Sequence, residues 1–318
     1  MSYDKVNHMT RNKGLDILRI ICALMIVFIH TNNQSIYIRS ICRIAVPIFF
    51  MISGYLYDSH KSLKKQIVRV LKILLIATAS YFVIYFLLYG RNLEYAVELL
   101  DKFRNYGFIN IVLFNVNPIF NRLWYLSAYL LVLLFMSIIG NRLKQEHKAA
   151  LIIVLPVIGL MLGTYSPLIF GQRLPTYYCR NWLFVGIPYF LLGQQLKGRS
   201  QDKGRISLAI ASLLFLLLEV YIYQYMGIKQ KAEYYLFTPL LAIAVFNYFV
   251  SLKTNQKTLL FLSRLGREDS LNIYLNHKLI EIFSDFISYV SIYPVIVFAL
   301  ALLLSRLQNY CLRRISHG

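Results

Sequence analysis

Apolar residues gather along the chain into runs of 15 to 21 residues, separated by short segments rich in Lys, Arg, Asn and Gln. A membrane-crossing helix takes about 20 mostly apolar residues. The pattern predicts about ten such helices, near 15–33, 41–57, 70–90, 123–140, 149–165, 182–196, 206–226, 234–251, 270–290 and 292–311. The longest segment between them, about 91–122, carries Leu93, Val97, Leu100 and Phe103 at near-helical spacing and predicts a helix lying along the membrane interface. No Gly/Ser-rich linker, low-complexity tract or internal repeat divides the chain, so 1–318 reads as a single domain. The expected fold class is all-α, a polytopic membrane helix bundle.

Composition agrees with the pattern. The 318 residues are 58% hydrophobic and 15% charged, against roughly 45–50% and about 25% in soluble domains. The mean hydropathy is +0.55, and no stretch is polar enough to build a large soluble domain. A net charge of +20 alone would suit nucleic-acid binding. Here, however, the basic residues fall between the apolar runs, and the 25 Tyr and 21 Phe fall largely within them. Cytoplasmic loops of membrane proteins are enriched in Lys and Arg. With the N-terminus inside, 23 basic residues lie on the cytoplasmic side and 10 on the other, which places both termini in the cytoplasm. Residues 1–14 are polar and no small-residue cleavage site follows the first run, so that run reads as a retained helix. Cys22, Cys42, Cys179 and Cys311 form no CxxC pair, and neither metal nor disulfide chemistry is expected.

The ionisable residues inside the runs are the candidates for function, because lipid tolerates them only where they face a cavity or one another. The first run holds Asp16, Arg19 and His30. Eleven residues at 100° each return almost to the same face, so Arg19 and His30 align, separated by roughly 16 Å along the axis. Asp16 lies one turn before Arg19 and can pair with it. Arg19 at a helix start also fits simple snorkelling, and His30 before Thr31, Asn32 and Asn33 also fits the end of a span. The ninth run places Tyr274, His277 and Glu281 on one face, with Lys278 three residues from Glu281; a wet helix with paired charges explains them as well as a site does. Glu219 is a lone carboxylate with no partner evident in the sequence. Ser53-Gly54 reads as a packing notch rather than a nucleophile, since no GxSxG elbow surrounds it. Pro47 can bend its helix.

Together these stretches resemble the acyltransferase-3 family of multi-spanning membrane acyltransferases. The opening NKGLDILRIICALMIVFIH followed by RIAVPIFFMISGYLY matches the family's Asp-x-x-Arg, its ten residues from Arg to His, and its Phe-Phe-x-x-Ser-Gly-Tyr stretch. LKKQIVRVLKILL, RLWYLSAYLLVLLF, RNWLFVGIPYFLLG and DSLNIYLNH then follow in the family's order, from about residue 11 to about 310. Within the family the chain is most similar to the branch holding the membrane portion of vancomycin-resistance serine racemases and stand-alone polysaccharide O-acetyltransferases. The sequence stops at Gly318, so neither pyridoxal phosphate chemistry nor an appended hydrolase domain is expected.

The resemblance implies His30 as catalytic histidine with Arg19 as its companion. The family's Arg-x-x-Arg is imperfect here, since Lys65 and Arg69 are four apart and Gln66 stands three before Arg69. Asp16, Ser53, Lys65, Arg69, Trp124, Tyr125, Arg180, Tyr274 and His277 are candidates for holding the substrates, and Asn181 also matches a family position. Acetyl-CoA is the expected donor, its phosphates met by Arg19, Lys64, Lys65 and Arg69 and its pantetheine arm long enough to reach His30. His30 then serves as general base on an acceptor hydroxyl or accepts the acyl group itself; either role needs a neutral imidazole. Asn32, Tyr274 or an arginine would steady the oxyanion. The expected partners are acyl-CoA, a glycan or lipid-linked glycan acceptor and the lipids of a bacterial plasma membrane. A homo-oligomer is compatible with the pattern and a nucleic acid is not. The rival readings are a transporter of a small polar solute such as serine, and a scaffold in a polysaccharide assembly complex.

Overall fold

The computed structural model describes residues 11–31, 34–58, 63–89, 101, 113–116, 123–198, 206–228, 232–284, 287–288 and 290–317. Among these the chain is helical, with short irregular connections and no strand. The first half comprises α1 (Lys13–His30), α2 (Ile36–Cys42), α3 (Ala45–Tyr55), α4 (Leu63–Tyr89), α5 (Trp124–Ile138), α6 (Gln145–Leu162) and α7 (Ser166–Phe170). The second comprises α8 (Ile187–Leu196), α9 (Ile206–Tyr225), α10 (Thr238–Ser251), α11 (Lys257–Glu268), α12 (Ser270–Ser284) and α13 (Tyr293–His317).

The first helix is the hub. Asn12 caps it, its Oδ1 accepting from the Leu15 amide at 3.1 Å while its Nδ2 donates to the Val250 carbonyl at 2.8 Å. Leu15, Ile17, Leu18, Cys22, Ala23 and Val27 point in different directions around α1, and all are buried. Helices α2, α3, α10, α11, α12 and α13 pack around it. The outer helices show the converse: Leu75, Ile76 and Leu87 on α4, Ile153 on α6 and Leu214 on α9 are exposed apolar side chains, as a lipid-facing surface requires.

Glycines set the closest approaches. A Cβ at Gly54 of α3 would overlap the Phe190 carbonyl of α8, and one at Gly193 of α8 would overlap the Met51 carbonyl of α3. Gly266 of α11 stands in the same way against the Asp16 carbonyl of α1. Ser53-Gly54 is therefore a packing notch on its glycine side.

Several sequence expectations change. Among the described residues, five stretches are long and apolar enough to cross a membrane, namely Ile36–Tyr55, Leu63–Leu88, Gln145–Leu162, Ile206–Tyr225 and Tyr293–Cys311. Helices α5 and α10 are apolar but shorter than a full span, and α1 keeps Lys13, Asp16 and Arg19 within its length. The run expected at 41–57 begins at Ile36 and breaks at Arg43-Ile44. The basic stretch before residue 70 is helical from Leu63, so Lys65 and Arg69 ride on α4 rather than on a loop. The polar segment after residue 252, expected as a loop, contains α11, whose amphipathic pattern lies against α1. Helix α12 ends at Ser284, and α13 continues to His317. Of 91–122, only residues 101 and 113–116 are described.

Asp269, fully buried at the break between α11 and α12, accepts from Ser305 Oγ at 2.8 Å and Asn309 Nδ2 at 3.1 Å and pairs with Arg306 at 2.7 Å. The break between α11 and α12 is thereby tied to the C-terminal half of α13. Gly266→Leu should lower stability in detergent by about 1–3 kcal/mol, because the new side chain meets backbone that cannot yield. An unchanged thermal midpoint would contradict the close α1–α11 approach.

Candidate active site

Of the cavities among the described residues, two lie near the ends of α1. The first, the Arg19 cleft, encloses about 1400 Å³ with its open mouth included and is lined by Arg19, Ser53, Gln66, Arg69, Tyr129 and Arg267 among others. The second, the His30 pocket, is narrower, with an interior void of about 40 Å³ that widens to about 580 Å³ with its mouth included, and is lined by His30, Arg43, Trp124, Arg180, Tyr189, Glu233 and Tyr234, with apolar walls from Ile26, Ile29, Val46 and Pro47. Tyr125 and Tyr274 line both. Their rings meet edge to face, centroids 5.6 Å apart at 78°, so two aromatic side chains from α5 and α12 form the partition.

Each cationic wall has a structural origin. Asp16 lies buried beneath the cleft and accepts from Arg19 at 3.0 Å and from Arg11 at 2.6 and 3.0 Å. One carboxylate thus orients two guanidinium groups, and Arg19 points its remaining donors toward the cleft it lines. Arg69 reaches the cleft from α4 together with Gln66, the residue standing in the imperfect motif. Lys65 is exposed on the same helix, off the lining. Arg267 arrives from α11, the helix the sequence pattern does not predict. Its hydrogen bond to Glu268 at 2.6 Å, with Arg264 and Arg306 nearby, holds the Glu268 carboxyl below the usual carboxylate range. Ser53 Oγ donates to the Phe49 carbonyl at 2.9 Å, so its proton is committed to the helix backbone.

At the other end, His30 closes the last turn of α1 and stacks on His277 of α12, centroids 5.3 Å apart and 20° from parallel. His277 is buried, and its Nδ1 lies 2.7 Å from the Tyr274 carbonyl. A carbonyl only accepts, so this contact sets the proton on Nδ1 and fixes the ring against which His30 rests. Lys278 and Glu281, next on α12, pair at 2.7 Å as their spacing predicts. Arg43 donates to Glu233 at 2.8 Å; Arg180 lies 3.6 Å from the same carboxylate, with its guanidinium 5.2 Å from the Trp124 ring centre.

Asp16, Arg19, Ser53, Arg69, Tyr125 and Tyr274 therefore gather at the cleft or just beneath it, and His30, Trp124, Tyr125, Arg180 and Tyr274 at the pocket, with His277 behind His30. Asn181 serves the backbone instead: its Oδ1 accepts from the Leu183 and Phe184 amides at 3.0 Å, starting the π-helical turn Trp182–Gly186 that leads into α8. Glu219 also gains a structural role, accepting from Tyr165 Oη and from the Leu236 and Phe237 amides at 2.8 and 3.1 Å, ahead of α10. Asn32 lies outside the described residues. Sequence reasoning missed Arg43 and Glu233. Arg39 and Arg43 sit one helical turn apart at the edge of an apolar run, a signal that was available but reads as loop charge in a one-dimensional count.

The family model described as an acyltransferase domain matches residues 12–307. Over 266 residues the chain is 26% identical to a serine/alanine racemase of Enterococcus gallinarum, an alignment covering 74% of this chain and 37% of that protein. Over 166 residues it is 28% identical to an amino-acid racemase of Enterococcus faecalis, covering 45% and 22% respectively. The matched part thus spans about a third or less of these relatives' length. No solved structure matches.

Removing Asp16 leaves two guanidinium groups without their shared carboxylate. A double-mutant cycle of Asp16→Asn with Arg19→Met, read by thermal unfolding in detergent, should give a coupling of about 0.5–3 kcal/mol. Additive effects would show that the pair does not set the wall of the cleft.

Proposed function

The chain belongs to the acyltransferase-3 family and is a multi-pass membrane protein of transferase type, and on that premise we propose that it moves an acetyl or similarly small acyl group from acyl-CoA to a hydroxyl of a cell-envelope glycan or its lipid-linked precursor. The single observation that supports this most is the meeting of an arginine-lined cleft and a histidine-bearing pocket at one shared tyrosine pair, Tyr125 and Tyr274. A nucleotide with several phosphates suits Arg19, Arg69 and Arg267, because guanidinium groups bind phosphate oxygens through paired donors. The cleft is the cytoplasmic side in this reading, as the distribution of Lys and Arg expects, and a pantetheine arm would pass between the tyrosines to present the thioester beside His30.

The chemistry then balances on one base. His30 takes the proton of the acceptor hydroxyl as its oxygen attacks the thioester carbon, and collapse of the tetrahedral adduct breaks the carbon–sulfur bond. The imidazolium returns that proton to the departing thiolate, so free thiol and ester are the products. The stacked, backbone-anchored His277 positions the His30 ring, and Tyr274 or an arginine lining the same pocket would steady the oxyanion.

His30→Ala should lower thiol release from acetyl-CoA by about 10²–10⁴-fold, the usual share of a general base, in a chain that inserts and unfolds like wild type. Full activity in that variant defeats the assignment. Because two cavities that nearly meet across a bundle also suit alternating access, transport of a small polar solute is the second reading. Solute flux in proteoliposomes without thiol release would favour it.

A further inference from the structure

The His30 pocket holds more positive charge than its own residues balance. Arg43 and Arg180 both turn to one carboxylate, Glu233, and their side chains are 12%, 20% and 11% exposed respectively. Arg173 lines the adjoining pocket together with that same Glu233. Several guanidinium groups around a single carboxylate leave a net positive site in a low-dielectric setting, an arrangement that is costly without a further anion. Two polar atoms on residues that line the pocket also have no protein partner: Arg43 Nε and Tyr189 Oη, the tyrosine being 3% exposed. Buried donors are ordinarily satisfied, so this set is built to be completed by a ligand. The Trp124 ring beside Arg180 adds a flat apolar wall.

We propose that the acceptor carries an anionic group, a phosphate or a carboxylate close to the hydroxyl that is acylated, and that Arg43 and Arg180 hold it while Tyr189 donates to its oxygens. This rests on the reading of the His30 pocket as the acceptor side. Glu233 acts as an internal stand-in that keeps the two arginines oriented while the pocket is empty of substrate and yields part of their donors when the anion enters. A neutral sugar would leave the excess charge unanswered, and a cationic one would reach only Glu233, against the arginines.

Calorimetric titration of the purified full chain in lipid nanodiscs tests this without any acyl donor, using glucose 1-phosphate, glucuronate, glucose and glucosamine as probes. Glucose 1-phosphate or glucuronate should bind more tightly than glucose, and whichever binds identifies the anion as phosphate or carboxylate. Arg43→Gln should weaken that binding about tenfold or more, the loss of one charge-assisted contact. Glu233→Gln should tighten it, a direction that misfolding does not produce. Equal affinity for glucose, tighter binding of glucosamine, an unchanged affinity in Arg43→Gln, or no gain in Glu233→Gln each overturns the proposal. A chain that binds the anions in this pattern yet releases no thiol from acetyl-CoA would instead defeat the transferase chemistry, so the two failures are separable.

Discussion

A charged helix can run through the middle of an apolar bundle only if every ionic group on it is paired and every backbone close approach is relieved, and α1 meets both conditions at Asp16. That side chain is almost fully buried and accepts from Arg11 and Arg19, while its own carbonyl faces Gly266 of α11. The pairing lets Arg19 stand at a cavity wall without an isolated charge in a low-dielectric interior. Because α1 is helical without interruption from Lys13 to His30, anchoring its start also places His30 at the far end, against His277. The surrounding helices are arranged to make that central rod possible.

The consequence is a division of labour along one axis. Guanidinium groups from α1, α4 and α11 converge at the Arg19 cleft, and an imidazole pair with a mixed-charge cluster converges at the His30 pocket. Only Tyr125 and Tyr274 belong to both cavities among the described residues. Tyr125 also packs edge-on against Phe50 of α3 at 4.9 Å, and Tyr81 of α4 donates to the Leu275 carbonyl of α12 at 2.5 Å. The partition is therefore braced from α3 and α4.

Much of this was legible in one dimension. The helical class, the alignment of Asp16, Arg19 and His30 and the Lys278–Glu281 pair all follow from spacing, because they are contacts within one helix. What was not legible lies between helices. Helix α11 looks like a charged loop because its apolar positions recur at helical spacing within a polar composition, and only α1 gives those positions a surface to cover. Glu219 has no sequence neighbour that explains it, since its partners are the amides of Leu236 and Phe237 on a later connection.

Sequence alone determined that this is an apolar, positively charged, helical chain of the acyltransferase-3 type, and which few ionisable residues it commits to its interior. Those properties are sums and periods of residues, and they need no knowledge of neighbours. The tertiary structure decided the rest: that Arg267 shares a cavity with Arg19 and Arg69, that His277 lies against His30, that Arg43 and Arg180 converge on Glu233, and that two tyrosines separate the cavities. Each of these joins positions tens to hundreds of residues apart, and such pairs are set by how helices pack, a choice that glycine notches and buried ion pairs make only once the chain is folded.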